Sequence, residues 1–272
     1  MIKADIHTHT SFSGDSDEPM ENQIKSAISK GLDYLCFTEH MDIDYPSSPS
    51  EPDNIFILDT DAYFCKFKDL KRQYANQKIE LLFGVELGLQ PHLAKTHEEF
   101  IKKYDFDYVI GSEHVTNKKD PYYPSFYEGR PEYEAYCEYF EDIIRNLNIF
   151  SAFDSFGHLD YVVRYGPNKN KDYSYTKYGD YIDEILRIII DKGIALEVNS
   201  GGYKYGLGCP NPSKEIILRY KELGGEMITI GSDAHDTSRI AGDFNQIENL
   251  LKDCNYKFYT VFQKRKPIFL PL

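Results

Sequence analysis

No C-x-x-C pair occurs in this chain of 272 residues. Its five cysteines, Cys36, Cys65, Cys137, Cys209 and Cys254, are odd in number and widely scattered, which argues against a disulfide framework and against a cysteine-built zinc cage. Reduced, mostly buried thiols in a reducing compartment are expected instead. No run of about 18 apolar residues is present, so no segment is expected to span a membrane. Residues 1–30 hold no basic stretch followed by an apolar one; no signal peptide is expected, and the expected location is the cytoplasm. Positive charge is in short supply. The 31 Lys and Arg face 44 Asp and Glu, and the net charge of −13 argues against long nucleic acids and anionic membranes as partners. Tryptophan is absent and tyrosine abundant, at 23, and neither fact selects a function.

What is present is a repeating grammar of apolar runs that end in His, Glu or Asp. The first, residues 2–9, contains His7-Thr8-His9, and in an extended segment His7 and His9 project to the same face. Further strands are expected over 34–38, 79–87, 106–111, 151–156, 194–199 and 227–230, with a β segment at 256–262. Helical spacing predicts helices over 19–30, 59–77, 91–103, 131–147, 176–192, 212–223 and 243–253. Residues 200–202 read as a glycine loop. Pro46, Pro49 and Pro52 mark a loop between His40 and Asp59 that is expected to cover something.

Seven apolar strands alternating with helices, and no break in composition, predict a single α/β domain over residues 1–272 with a parallel sheet. Polar residues recur at the strands' C-terminal ends, which favours a closed barrel with its site at that face over an open doubly wound sheet. The candidates that would meet there are His7, His9, Asp15, His40, Glu86, His114, His158, Asp233 and His235. Six of the eight histidines thus stand at strand ends; His92 and His97 fall in a predicted helix and are expected to be solvent-exposed. Imidazole and carboxylate donors without thiolate suit Zn, Fe or Mn. Nine donors are too many for one ion, so two to three divalent metal ions are expected, and Glu86 is the carboxylate nominated to bridge two of them.

The motifs His7-Thr8-His9, Thr38-Glu39-His40, Gly84-Val85-Glu86, Gly111-Ser112-Glu113-His114, Gly157-His158-Leu159-Asp160 and Gly231-Ser232-Asp233-Ala234-His235 resemble the PHP (polymerase and histidinol phosphatase) family, most of all its stand-alone histidinol-phosphatase branch. The resemblance implies a distorted, TIM-like (β/α)7 barrel of PHP type with a trinuclear metal centre. It implies His7, His9, Glu86 and Asp233 on one ion, Glu86, His114 and His158 on the second, and Asp15, His40 and His235 on the third. Many members carry His where this chain has Asp15, so the third site is the one whose metal preference is expected to differ. The implied reaction is hydrolysis of L-histidinol phosphate by a metal-bridging hydroxide, with Asp233 orienting it or shuttling a proton.

A phosphomonoester also needs fixed cations. Arg164 and Lys204 lie on loops where histidinol phosphatases carry phosphate-binding basic residues, and Glu113 beside His114 is a candidate for a substrate ammonium or imidazole, as is Asp42. Lys118-Lys119-Asp120 reads as a solvated turn. A PHP-type phosphoesterase acting on a nucleotide or another small phosphomonoester is the alternative, and a catalytically silent metal-binding domain a third reading.

Overall fold

Runs such as Leu81-Leu82-Phe83-Gly84-Val85 are buried without alternation, the pattern of parallel strands covered by helices. The computed structural model describes residues 1–46 and 54–272. Its seven parallel strands are β1 (Ala4–Thr8), β2 (Tyr34–Met41), β3 (Glu80–Gly88), β4 (Tyr108–Ser112), β5 (Ser155–Phe156), β6 (Ala195–Asn199) and β7 (Ile228–Gly231), hydrogen-bonded side by side in chain order. The seam between the first and last is closed by two backbone bonds: Asp233 N donates to His7 O and His9 N to Ala234 O, each at 2.9 Å. The result is a nearly closed barrel, as expected, distorted where β5 is only two residues long and where the β1–β2 register shifts between Asp5 and Thr8.

The helices α1 (Met20–Ser29), α2 (Thr60–Gln73), α3 (Ala94–Lys103), α4 (Glu132–Ile149), α5 (Tyr175–Asp191), α6 (Gly201–Lys204), α7 (Lys214–Glu222) and α8 (Phe244–Asp253) connect them. The helices pack apolar stripes on the barrel; in α2 this is Tyr63, Phe67 and Leu70, and the start is capped by Asp59, whose side chain accepts from Ala62 N at 3.0 Å. The Tyr63 hydroxyl reaches the carbonyl oxygens of Phe37 and Gly84, 3.0 Å from each, and so ties α2 to β2 and β3. Gly84 leaves room for this packing, since a Cβ there would stand 2.7 Å from Cys36 Sγ.

Three expectations are corrected. Residues 200–202 do not form an open glycine loop but lead into the short helix α6. The β segment of the tail is β8 (Phe258–Gln263), and it pairs with an unanticipated antiparallel partner, β9 (Lys266–Pro271). This hairpin meets the residues just before β1, β4 and β5: Tyr259 Oη accepts from Lys3 N at 3.0 Å, Arg265 N donates to Asp107 O at 2.9 Å, and Arg265 pairs with Asp154. It therefore stops the end of the barrel opposite the strand ends that carry the site. Finally, His97 is not exposed: it is 1% accessible, with Nε2 3.1 Å from Gly88 O, whereas His92 is half-exposed beside Asp44 as expected.

Candidate metal centre

The alternation of β1 turns His7 and His9 inward, both fully buried. His40 arrives from β2, Glu86 from β3, His114 just after β4, His158 just after β5, Asp233 and His235 just after β7, and Asp15 from the loop between β1 and α1. All nine expected residues come together.

Hydrogen bonds on the outer side of several rings dictate which nitrogen faces the centre. His7 Nδ1 lies 2.5 Å from Glu197 Oε1, a carboxylate that only accepts, so the neutral His7 ring presents its Nε2 lone pair inward. Ser13 Oγ gives its proton to Glu39 Oε2 at 2.6 Å and must accept from His9 Nδ1 at 3.1 Å, which leaves His9 Nε2 a lone pair as well. Yet His7 Nε2 and His9 Nε2 stand only 3.1 Å apart. Two lone pairs at that distance need a cation between them: a proton on His7, which, against the cost of burial, the Glu197, Glu86 and Asp233 charges raise well above the usual imidazole value, or a metal ion in its place. Likewise His114 Nδ1 donates to Asp42 Oδ2 at 2.8 Å and His235 Nδ1 to Asp233 O at 3.0 Å, each turning Nε2 inward. Asp42, a candidate for substrate contact, thus orients an imidazole.

Glu86 lies at the middle. Its Oε1 faces His158 Nε2 at 3.0 Å and His114 Nε2 at 3.3 Å; its Oε2 faces His40 Nδ1 at 3.0 Å, His7 Nε2 at 3.2 Å and His9 Nε2 at 3.5 Å. Oε2 is buried without a hydrogen bond among the described residues, as are His40 Nδ1 and His235 Nε2. Asp15 Oδ2 sits 3.0 Å from His235 Nε2 and 3.6 Å from His40 Nε2. Burial alone would raise the Glu86 and Asp233 carboxyls, but neighbouring charges, His7 foremost, hold both well below the usual range. Burial and the His40 and His235 charges push His9 well below the usual imidazole value. Crowded, ionised carboxylates beside the unbonded His40 Nδ1 and His235 Nε2 are what a metal-ligand set requires, and the residues fit. Within 4.8 Å the donor atoms cluster as His7, His9 and Asp233; His7, Glu86 and His158; His9, His40 and His235; and His40, Asp42 and His114. His9 therefore stands between two groups that the resemblance keeps apart.

Asp233 has a left-handed backbone (φ 55°), which aspartate tolerates better than most residues. Its Oδ1 faces His9 Nε2 at 3.4 Å, and its Oδ2 accepts from Arg164 Nη1 at 2.8 Å. Arg164, on a single 3-10 turn (Tyr161–Arg164), is buried rather than superficial; Nη2 donates to Asn199 Oδ1 at 2.9 Å and Nε to Asn211 Oδ1 at 2.8 Å. Arg164 and most of the nine residues line an open cleft of about 440 Å3 walled by Tyr45, Phe56, Tyr161, Tyr165 and Tyr205. Tyr45 and Phe56 flank the proline loop; its Pro49 and Pro52 lie outside the described residues. Lys204 is exposed and lines only the adjoining outer chamber.

Glu113 does not reach the cleft. Its buried carboxyl accepts from Asn146 Nδ2 at 2.7 Å and Thr116 Oγ1 at 3.3 Å, because strand alternation turns it toward α4 while His114 faces the site. Asp120 corrects the reading of a solvated turn: Lys118 and Lys119 are exposed, but Asp120 is buried and lines the cleft. Sequence reasoning also missed Glu197 and Asn199. Glu197 accepts from His7, from His158 N at 2.8 Å and from Asn199 Nδ2 at 3.1 Å. The alternation Ala195-Leu196-Glu197-Val198-Asn199 was the available signal, placing both polar residues on one face.

The PHP domain model matches residues 5–201. The chain is 35% identical over 261 residues to a probable histidinol-phosphatase of Clostridium acetobutylicum, covering 96% of this chain and 97% of the relative. It is 31% identical over 272 residues to the histidinol-phosphatase of Lactococcus lactis, covering 98% and 96%. The crystal structure of the Lactococcus lactis histidinol phosphate phosphatase, complexed with zinc, L-histidinol and phosphate, superimposes with a TM-score of 0.89 over 98% of each chain. The chain therefore belongs to the PHP domain family.

Proposed function

We infer that this protein is a histidinol-phosphatase, hydrolysing L-histidinol phosphate to L-histidinol and phosphate. The observation that carries the reading is the convergence of the nine imidazole and carboxylate side chains on one centre, six of them lining its cleft, in a chain similar over its length to histidinol-phosphatases. The Lactococcus lactis protein binds zinc, L-histidinol and phosphate.

The donor set suits two to three divalent transition-metal ions, zinc, iron or manganese, which His7, His9, Asp15, His40, Glu86, His114, His158, Asp233 and His235 would hold, with Glu86 as the shared carboxylate. Such ions, when bound, neutralise the phosphoryl oxygens and make water a competent nucleophile at neutral pH. The chain's own groups do the rest. Arg164 presents the phosphate with the two N–H groups that Asp233, Asn199 and Asn211 leave free. Asp233 Oδ1, kept ionised, orients the attacking water and takes its proton as the new P–O bond forms. That proton passes to the alkoxide oxygen as the old P–O bond breaks, releasing L-histidinol. Lys204, at the rim, is placed to attract the anionic group on entry. The activity fits a cytoplasmic enzyme of histidine biosynthesis.

A steady-state panel of phosphomonoesters with metal-analysed protein tests this. The expected result is a kcat/KM for L-histidinol phosphate exceeding that of nucleotides by roughly 100-fold or more. A flat profile, or a preference for nucleotides, would overturn it.

A further inference from the structure

We propose that the Asp120 carboxylate recognises the cationic end of the substrate and so sets the enzyme's selectivity. This rests on the phosphatase reading of the same cleft and adds what holds the end remote from the phosphate.

Asp120 is 5% exposed, yet it lines both the inner cleft and the adjoining outer chamber. The Tyr45 hydroxyl donates to its Oδ2 and Tyr122 N to its Oδ1. These bonds fix the carboxylate and use about two of its four acceptor positions. Among the described residues no lysine, arginine or histidine lies within ion-pair distance of it. The other carboxylates of the cleft are already engaged: Asp15 with His235, Asp42 with His114, Asp233 with Arg164. A buried carboxylate without a counter-ion is costly, and burial pushes this one up to about 6. An incoming cation relieves that cost.

The surroundings suit such a cation. Tyr45, Phe56, Tyr161, Tyr165 and Tyr205 line both compartments that Asp120 faces, and aromatic faces attract ammonium and imidazolium groups. The cleft is therefore polarised. Arg164, His40, His114 and His158 line the inner compartment alone, while Asp120 and the aromatic wall extend into the outer one, which they share with Asp15, His235 and the exposed Lys204. A zwitterionic phosphomonoester laid along it meets a complementary charge at each end; an uncharged aryl phosphate meets only one.

The test uses Asp120→Asn in the full-length, metal-analysed enzyme, with L-histidinol phosphate and phenyl phosphate as substrates. The ratio of their kcat/KM values is expected to fall about 10- to 100-fold, mostly through KM for L-histidinol phosphate. Tyr45→Phe, which keeps the ring and removes the hydroxyl that holds Asp120, is expected to lower the same ratio by a smaller factor. If Asp120→Asn loses its metal or its cooperative melting, Tyr45→Phe decides by the same criterion. An unchanged ratio overturns the proposal. Failure of the functional reading is separately visible in the wild-type enzyme, as hydrolysis of phenyl phosphate but not of L-histidinol phosphate, and the Asp120 assignment falls with it.

Discussion

Arg164 Nη1 donates to Asp233 Oδ2 at 2.8 Å, and both groups are buried at the base of one cleft. This pair joins the arginine proposed to bind phosphate to a metal-ligand candidate. Arg164 can therefore be removed without removing a ligand, while Asp233 cannot.

Replacing Arg164 with methionine is expected to leave metal content intact and to lower kcat/KM for every phosphomonoester tried. A lost charge-assisted hydrogen bond amounts to roughly 1.5–3 kcal/mol, or about ten- to a hundredfold. An unchanged kcat/KM would remove Arg164 from phosphate binding.

Glu86 faces two groups of imidazoles with its two oxygens. Glu86→Gln should cost more than one equivalent of metal per monomer and nearly all turnover, while the half-exposed His92→Ala changes neither. Elemental analysis of reconstituted, desalted wild-type protein should give at least two ions per monomer. One equivalent or less, or a Glu86→Gln enzyme with full metal and turnover, would contradict the shared-carboxylate assignment.

Glu197 touches no inward-facing lone pair but holds His7 through Nδ1 at 2.5 Å. Groups that orient a ligand from behind typically carry about 10–100-fold in metal affinity or activity. Glu197→Gln is expected to weaken metal binding by that order in a competitive chelator titration, with the fold intact by circular dichroism. Wild-type affinity would show that His7 needs no such support.

Away from the site, Arg219 on α7 donates to Asp183 on α5 from Nε at 2.8 Å and Nη2 at 2.6 Å, and holds that carboxyl down to about 2 from the usual 3.8. The folded-state value is the lower one, so the contribution is whole above the usual value and is lost as pH falls toward 2. Asp183→Asn should lower the denaturation midpoint at neutral pH, and the gap from wild type should close on acidification below about 4. A gap independent of pH would show that the ion pair is not its source.

The ligands were legible in the sequence because a strand's alternation is strictly periodic and each donor closes an apolar run; His7 and His9 needed no tertiary information to share a face. Glu197 and Asn199 obeyed the same rule but were silent, since their partners His7 and Arg164 are reached only across the closed barrel. His97 falls in one stripe with Leu93 and Phe100, so its helical spacing already marked it as inward-facing. Asp120 is different: nothing local distinguishes it from its exposed neighbours Lys118 and Lys119, and its partner Tyr45 is 75 residues away in sequence. The strand β9 hid behind Pro267 and Pro271, residues that disfavour a central strand but are tolerated at the edge of a two-stranded hairpin.

The bonds that close the barrel, Asp233 N to His7 O and His9 N to Ala234 O, belong to the residues whose side chains form the metal centre. Nearby, Ser232 bonds to Asp5 across 227 residues of sequence. During synthesis His7 and His9 leave the ribosome early and wait for nearly the whole barrel before Asp233 and His235 can join them. The centre thus cannot be completed before the seam: a chain halted before its seventh strand has histidines but no complete donor set, and ions bound to the finished set would also hold the first and last strands together.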